Sequence, residues 1–363
     1  MVIFGVTGDL ARKKLLPAIY DLANRGLLPG GFTLVGYGRR EWDKADFQDY
    51  VREAILNGAR TEFHENVWQR LAEGLEFVRG NFDDDAAFDD LAAACKRSDE
   101  HRGTAGNWAY YLSVPPEFFA EVVHQLDRCG MAKAGVNEWR RVIIEKPFGH
   151  DLASAKELND VVGAVFPERS VFRIDHYLGK EMVKNILPFR FSNPLVDMSL
   201  NNKTVANVQI TFKEKFGTEG RGGYFDEFGI IRDIQQNHLC QVFCLLAMDT
   251  PKSFDAEAIR DQKVKLLKET KPISTDEVLL GQYTAANGKP GYKDDDTVPK
   301  DSNTPTFAAM VLHIDNDRWR GVPFIIKAGK ALEAYRAGVI DREECMAELG
   351  YKAPLELPKG LTE

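Results

Sequence analysis

Within five residues the chain presents an imidazole, a phenol and an ammonium, at His176, Tyr177 and Lys180. Three such groups can surround a phosphate, each donating a hydrogen bond to an anionic oxygen. They follow a β-rich run at 171–174, and ligands of open parallel sheets gather beyond the carboxyl ends of strands. A polar loop after a strand would use the same residue types, so the cluster by itself leaves both readings open. A second histidine, His238, stands in an apolar stripe with Ile231, Ile234, Val242 and Leu245 and so faces inward. An imidazole there can act as a general base, because its ordinary pKa lies near neutrality. On such a face a histidine also serves simply as a hydrogen-bonded core residue.

A third group of residues suits an anion of another kind. Gly5-Val6-Thr7-Gly8-Asp9-Leu10-Ala11 joins the first β-rich run to the first helical pattern. Glycines allow a tight turn with backbone N–H groups close to a ligand, and the helix start adds unpaired donors and a favourable dipole. Gly5, Thr7, Gly8, Asp9 and Leu10 are the candidate dinucleotide contacts in this turn. The second run, 33–37, leads into Gly38-Arg39-Arg40, with Glu41 only afterwards. An acid at that point would bond a ribose 2′-hydroxyl, whereas Arg39 suits a 2′-phosphate, so NADP is preferred over NAD. The competing reading is two solvated arginines on a loop. Lys13 and Lys14 can add charge near the same phosphate.

These residues need elements to position them. β-rich runs at 2–4, 33–37, 75–78, 108–112, 141–144 and 171–174 alternate with helical patterns at 10–25, 84–97, 116–129 and 152–162. Such alternation predicts a parallel sheet covered on both faces, an α/β doubly wound, Rossmann-like domain over 1–175. Beyond residue 193 the texture changes. Val208, Ile210 and Phe212 alternate with polar residues as in a half-buried antiparallel strand, and further strands are expected at 279–284, 306–314 and 323–326. One long helix is expected over 230–248, and 287–305 reads as a polar loop. The second domain is therefore expected to be α+β, with a largely antiparallel sheet, over 176–332.

Composition sets outer limits. The 47 basic and 55 acidic side chains leave a formal charge of −8, which argues against general nucleic-acid or anionic-membrane binding. No apolar run is long enough to span a bilayer, and the first residues lack the basic start of a secretory signal. Five scattered cysteines suit a reducing compartment, and no metal site is expected.

Glu145-Lys146-Pro147-Phe148-Gly149, then Arg173-Ile174-Asp175-His176-Tyr177-Leu178-Gly179-Lys180-Glu181, and Gln236-Asn237-His238-Leu239 resemble the sugar-phosphate and catalytic signatures of the glucose-6-phosphate dehydrogenase family. Similarity continues through the run from Gly217 to Glu227 and Gly329-Lys330-Ala331-Leu332, and covers roughly 2–332. The resemblance implies oxidation of glucose 6-phosphate at C1 by NADP, the first step of the pentose phosphate pathway, in the cytoplasm and without metal. It makes His238 the base and Asp175 its orienting carboxylate. His176, Tyr177 and Lys180 take the 6-phosphate, and Glu214, Asp233 and Lys330 contact sugar hydroxyls. Lys146 contacts both sugar and cofactor, through a Lys146–Pro147 bond that could be cis. Departures are Leu200 in place of a tryptophan, Tyr335 with Arg336 one place late, and a tail at 333–363 without resemblance. Family members continue well beyond this point and form homodimers or tetramers, so the second sheet is expected to be incomplete and self-association is in doubt. Two rivals stand beside this reading: another two-domain NAD(P) sugar oxidoreductase, and a truncated form that binds nucleotide or a partner without turnover.

Overall fold

The computed structural model describes residues 1–214, 216–218, 220–285 and 289–330; Ala331, Leu332, Tyr335, Arg336 and the tail at 333–363 lie outside them. Two compact units meet in sequence at Ile174 and Asp175.

In the first unit six short runs form one parallel sheet. They are β1 (Val2–Phe4), β2 (Leu34–Gly38), β3 (Leu75–Arg79), β4 (Trp108–Leu112), β5 (Arg140–Ile144) and β6 (Val171–Arg173), in the order β3-β2-β1-β4-β5-β6. Side chains alternate between faces, and both faces are covered. Val2, Phe4, Val35 and Tyr37 pack against Phe88, Leu91, Val122 and Val123 of the helices Asp85–Arg102 and Phe119–Arg128. Ile3 and Leu34 pack against Leu16, Tyr20, Phe47 and Val51 on the opposite side. This is the doubly wound order in which a dinucleotide lies across the carboxyl ends of the central strands. Two helices that the apolar pattern did not reveal, Lys44–Gly58 and Glu65–Glu73, complete the second face. The first opens on a reciprocal cap, in which Asp43 accepts from the Asp46 N–H and Asp46 from the Asp43 N–H.

The second unit holds a four-stranded sheet of β7 (Val208–Lys213), β8 (Val278–Gly281), β9 (Phe307–His313) and β10 (Pro323–Gly329), ordered β7-β10-β9-β8. β8, β9 and β10 pair antiparallel, but β7 pairs parallel with β10. This corrects the antiparallel expectation for the Val208 strand. Its alternation is real, with Ile210 buried and Gln209 and Thr211 exposed, yet alternation reports one-sided burial and not the direction of a neighbour. The expected strand at 279–284 stops at Gly281, because Gln282 and Tyr283 turn to bond Thr304 and Thr306. Most of the expected polar loop is described, apart from 287 and 288. It is pinned inward, for Tyr292 is fully buried and both its hydroxyl and that of Ser302 bond Asp226.

The helix expected at 230–248 is present as a continuous helical run whose first half is π-helical, and a separate short helix precedes it. Gly222–Ile230 is broken at Gly229, whose φ of 64° is a conformation glycine adopts readily. A π-helical stretch then runs over Ile231–Leu239, followed by α-helix over Cys240–Ala247. Among the described residues no helix is long and apolar enough to cross a membrane, and no three His, Cys, Asp or Glu side chains group to hold a metal.

Candidate active site

In the first unit, a cleft of about 520 Å³ opens at the carboxyl ends of β1, β2 and β4, lined among others by Gly5, Thr7, Gly8, Arg39, Asn81, Phe82 and Ser113. Gly5 has a φ of 72°, and a Cβ there would lie 2.4 Å from the Ser113 carbonyl oxygen, so the turn closes against β4 only because the residue is glycine. Backbone N–H groups at a helix start, a threonine hydroxyl and one guanidinium form a donor set suited to a pyrophosphate and a further phosphate. Asp9, Leu10 and Lys14 stand on the exposed start of the first helix rather than in the lining. Asp9 is held by Lys13 at 2.8 Å, which spends that lysine's charge locally. Arg40 sits 5.3 Å over the Trp42 ring and leaves Arg39 as the arginine lining the cleft.

At the end of β5, Lys146 precedes a cis peptide to Pro147, and its neighbour Glu145 accepts a short hydrogen bond from the Tyr111 hydroxyl on β4. Sequence reasoning missed this pair. The available signal was a tyrosine and an acid at the same end of adjacent parallel strands.

The second unit gathers most of the other candidates. Asp175 caps a short 3-10 turn, His176–Gly179, by accepting the Tyr177 backbone N–H at 3.0 Å. The same carboxylate oxygen meets His238 Nδ1 at 2.6 Å. Burial opposes ionisation of Asp175, but the His238 hydrogen bond and charge and the Tyr177 N–H together hold its carboxyl below the usual value. The ionised Asp175 carboxylate can only accept, so His238 Nδ1 is the donor in this bond. His238 is 1% exposed, and its ring lies flat on that of Tyr177, with centroids 4.1 Å apart and planes 14° apart. The His176 ring meets it edge-on at 4.6 Å, and Lys180 Nζ lies 3.6 Å over the Tyr177 ring. Burial, then the charges of Glu214, Asp175 and Asp233, push the Tyr177 phenol up to about 12, so it remains a neutral donor.

The parallel pairing of β7 and β10 explains the next cluster. Lys213 lies opposite Gly329, so the residues that follow, Glu214 and Lys330, leave the sheet side by side. Their side chains form a close ion pair, and Asp233 Oδ2 approaches the same ammonium at 3.5 Å. A π-helix bonds each residue to the fifth one along, which brings Asp233 and His238, five apart, toward one side. In an α-helix they would diverge by well over a quarter turn. His176, Tyr177, Lys180 and His238 thus form one ring cluster on Asp175, while Glu214, Asp233 and Lys330 form an ionic one.

A dinucleotide-type α/β unit followed by a unit carrying a buried acid–base pair and a clustered cation and carboxylates is the architecture of a two-domain oxidoreductase. Family models for the glucose-6-phosphate dehydrogenase NAD binding domain and C-terminal domain match residues 2–185 and 187–340. The chain belongs to the glucose-6-phosphate dehydrogenase family. It is 52% identical over 339 residues to glucose-6-phosphate 1-dehydrogenase 2 of Mycobacterium tuberculosis, covering 92% of this chain and 66% of the relative. It is 44% identical over 343 residues to Arabidopsis thaliana glucose-6-phosphate 1-dehydrogenase 6, cytoplasmic, covering 93% and 65%. A solved structure of a glucose-6-phosphate dehydrogenase in complex with its substrate glucose 6-phosphate superposes with a TM-score of 0.83 at 42% identity, covering 91% of this chain and 68% of that one. The chain therefore spans about two thirds of the length of the relatives it matches.

Proposed function

We propose that this protein oxidises glucose 6-phosphate at C1 to 6-phosphoglucono-1,5-lactone, with NADP as the hydride acceptor. The observation that carries this reading is the buried His238–Asp175 pair, at 2.6 Å, beside a phosphate-type cluster at His176, Tyr177 and Lys180. His238 Nε2 takes the proton of the C1 hydroxyl as the C1–H electron pair departs and the C1–O bond becomes a carbonyl. Asp175 stabilises the imidazolium that results and holds its tautomer. Lys180, the His176 imidazole and the Tyr177 hydroxyl bind the 6-phosphate. Glu214 and Asp233 accept hydrogen bonds from sugar hydroxyls, and Lys330, lying against both carboxylates, orients them. Thr7, Gly8 and Arg39 line the cleft that would hold NADP, with Gly5 shaping the turn, Asp9, Leu10 and Lys14 at the helix start, and Lys146 serving cofactor and sugar. When bound, NADP supplies the two-electron acceptor. The reading extends to a cytoplasmic setting, supported by the cytoplasmic Arabidopsis relative.

Phosphate recognition separates this reading from another sugar oxidoreductase. Lys180→Ala should raise KM for glucose 6-phosphate roughly 10–150-fold, the equivalent of a charge-assisted hydrogen bond of about 1.5–3 kcal/mol. The use of free glucose, which offers Lys180 no phosphate, should hardly change. Equal losses on both sugars would make Lys180 a structural residue and not a phosphate ligand.

A further inference from the structure

Tyr177 has two chemically separate parts. Its hydroxyl is one phosphate donor in the reaction proposed above, but its ring has contacts that a phosphate donor does not need. The ring lies flat against the His238 imidazole, 4.1 Å between centroids and 14° between planes, and both residues are buried, at 9% and 1% exposure. Phe212 meets it edge-on at 5.5 Å, and Lys180 Nζ sits 3.6 Å over it. The Tyr177 ring is thus held by three neighbours through contacts made by its ring and not by its hydroxyl. Its backbone N–H also bonds the Asp175 oxygen that receives His238 Nδ1.

We propose that the Tyr177 ring is a positioning residue for the base, fixing the plane of the His238 imidazole independently of the phosphate-binding hydroxyl. The torsion that turns an imidazole is broad and soft, and a hydrogen bond at Nδ1 fixes a direction in the ring but not the tilt of its plane. A flat surface at van der Waals distance fixes the tilt. Nδ1 then stays on Asp175, and Nε2 keeps one direction toward the substrate. Misplacement of a reacting group by about 1 Å costs on the order of 100-fold in rate, so a loosened base should be felt in kcat.

Comparison of Tyr177→Leu with Tyr177→Phe divides the two parts. Both lose the hydroxyl and should raise KM for glucose 6-phosphate alike. The phenylalanine variant keeps the flat ring and should hold kcat within about 3-fold, whereas the leucine variant should lose roughly 10–100-fold in kcat. A second readout uses the substrate-free protein: the downfield proton NMR signal of Nδ1–H facing Asp175, assigned by its absence in His238→Asn. It should persist in Tyr177→Phe and broaden or vanish in Tyr177→Leu. Tyr177→Met, which fills the space without a flat face, replaces the leucine variant should that one unfold. The kcat comparison rests on the proposed reaction, but the proton signal does not. A protein that turns over no sugar yet shows the split in the signal would overturn the reaction and keep the ring's role. Equal kcat and an equal signal in the leucine or methionine and phenylalanine variants would overturn the role of the ring.

Discussion

A buried imidazole must satisfy both ring nitrogens or lose hydrogen bonds that water would have supplied. At His238 one nitrogen is committed to Asp175 at 2.6 Å, a carboxylate held ionised despite its burial. In the proposed reaction His238 is the base, so its removal should act on the transition state more than on sugar affinity. His238→Asn should lower kcat on the order of 10²–10⁴-fold with KM for glucose 6-phosphate little changed. Asp175→Asn should cost less, because it removes orientation and leaves the base in place. Steady-state kinetics checks both, and near-normal turnover in His238→Asn would return that residue to the ordinary role of a buried core histidine. Much of this residue-scale picture came from the resemblance of the runs around Asp175 and His238 to the family's signatures, because the residue types alone left His238 equally readable as a core histidine. What the sequence could not disclose was the stacking. Nothing in the order Asp175-His176-Tyr177 states that the Tyr177 ring will lie on His238, because that contact joins positions 61 residues apart in sequence through the packing of two separate elements.

Elements decide which of these side chains meet. A period near 3.6 residues identified a helix around His238, but local widening to a π-helix follows from packing and leaves no mark on apolar spacing. The parallel pairing of β7 with β10 was equally hidden, although it delivers Glu214 and Lys330 to the same sheet end. Another feature of this scale is the anchor behind the π-helix. Arg190, 1% exposed, donates to the Leu245 and Met248 carbonyls and to Asp197 at 2.7 Å, and Asp197 also receives Arg318 at 2.9 Å. Asp197 thereby ties the helices Ile186–Phe191, Pro194–Ser199 and Cys240–Ala247 to the segment before β10. Asp197→Asn leaves a buried guanidinium without its counter-charge and should destabilise the second unit by about 3–5 kcal/mol. Urea titration with hydrogen exchange followed over residues 186–330 reads this directly. Burial works against the Asp197 carboxylate, but the hydrogen bonds from Arg190 and Arg318 hold its pKa below the ordinary value. Its contribution should thus be complete above the unfolded pKa of about 3.9 and lost as pH falls through the lower folded value. The asparagine variant should lack that acid-side loss, and a variant as stable as the parent would mean the arginines find compensation elsewhere.

Two units with different sheets make up the molecule, and they were unequally readable. The six strands of the first announce themselves as apolar runs because both faces of a parallel sheet are covered. The strands of the second are split by polar segments whose backbone is pinned by side chains such as Asp226 and Thr306, so their ends and directions depend on long-range partners. Membership of the glucose-6-phosphate dehydrogenase family rests on nearly the whole chain, at 52% identity over 339 residues, against 66% of that relative's length. The proposed reaction can be followed by NADPH absorbance on the purified 363-residue chain, with NADP and either glucose 6-phosphate or glucose. NADPH formation with the phosphorylated sugar should greatly exceed that with glucose and should be lost in His238→Asn. No NADPH above background at saturating cofactor and sugar, or a rate that His238→Asn leaves unchanged, would contradict the proposed reaction.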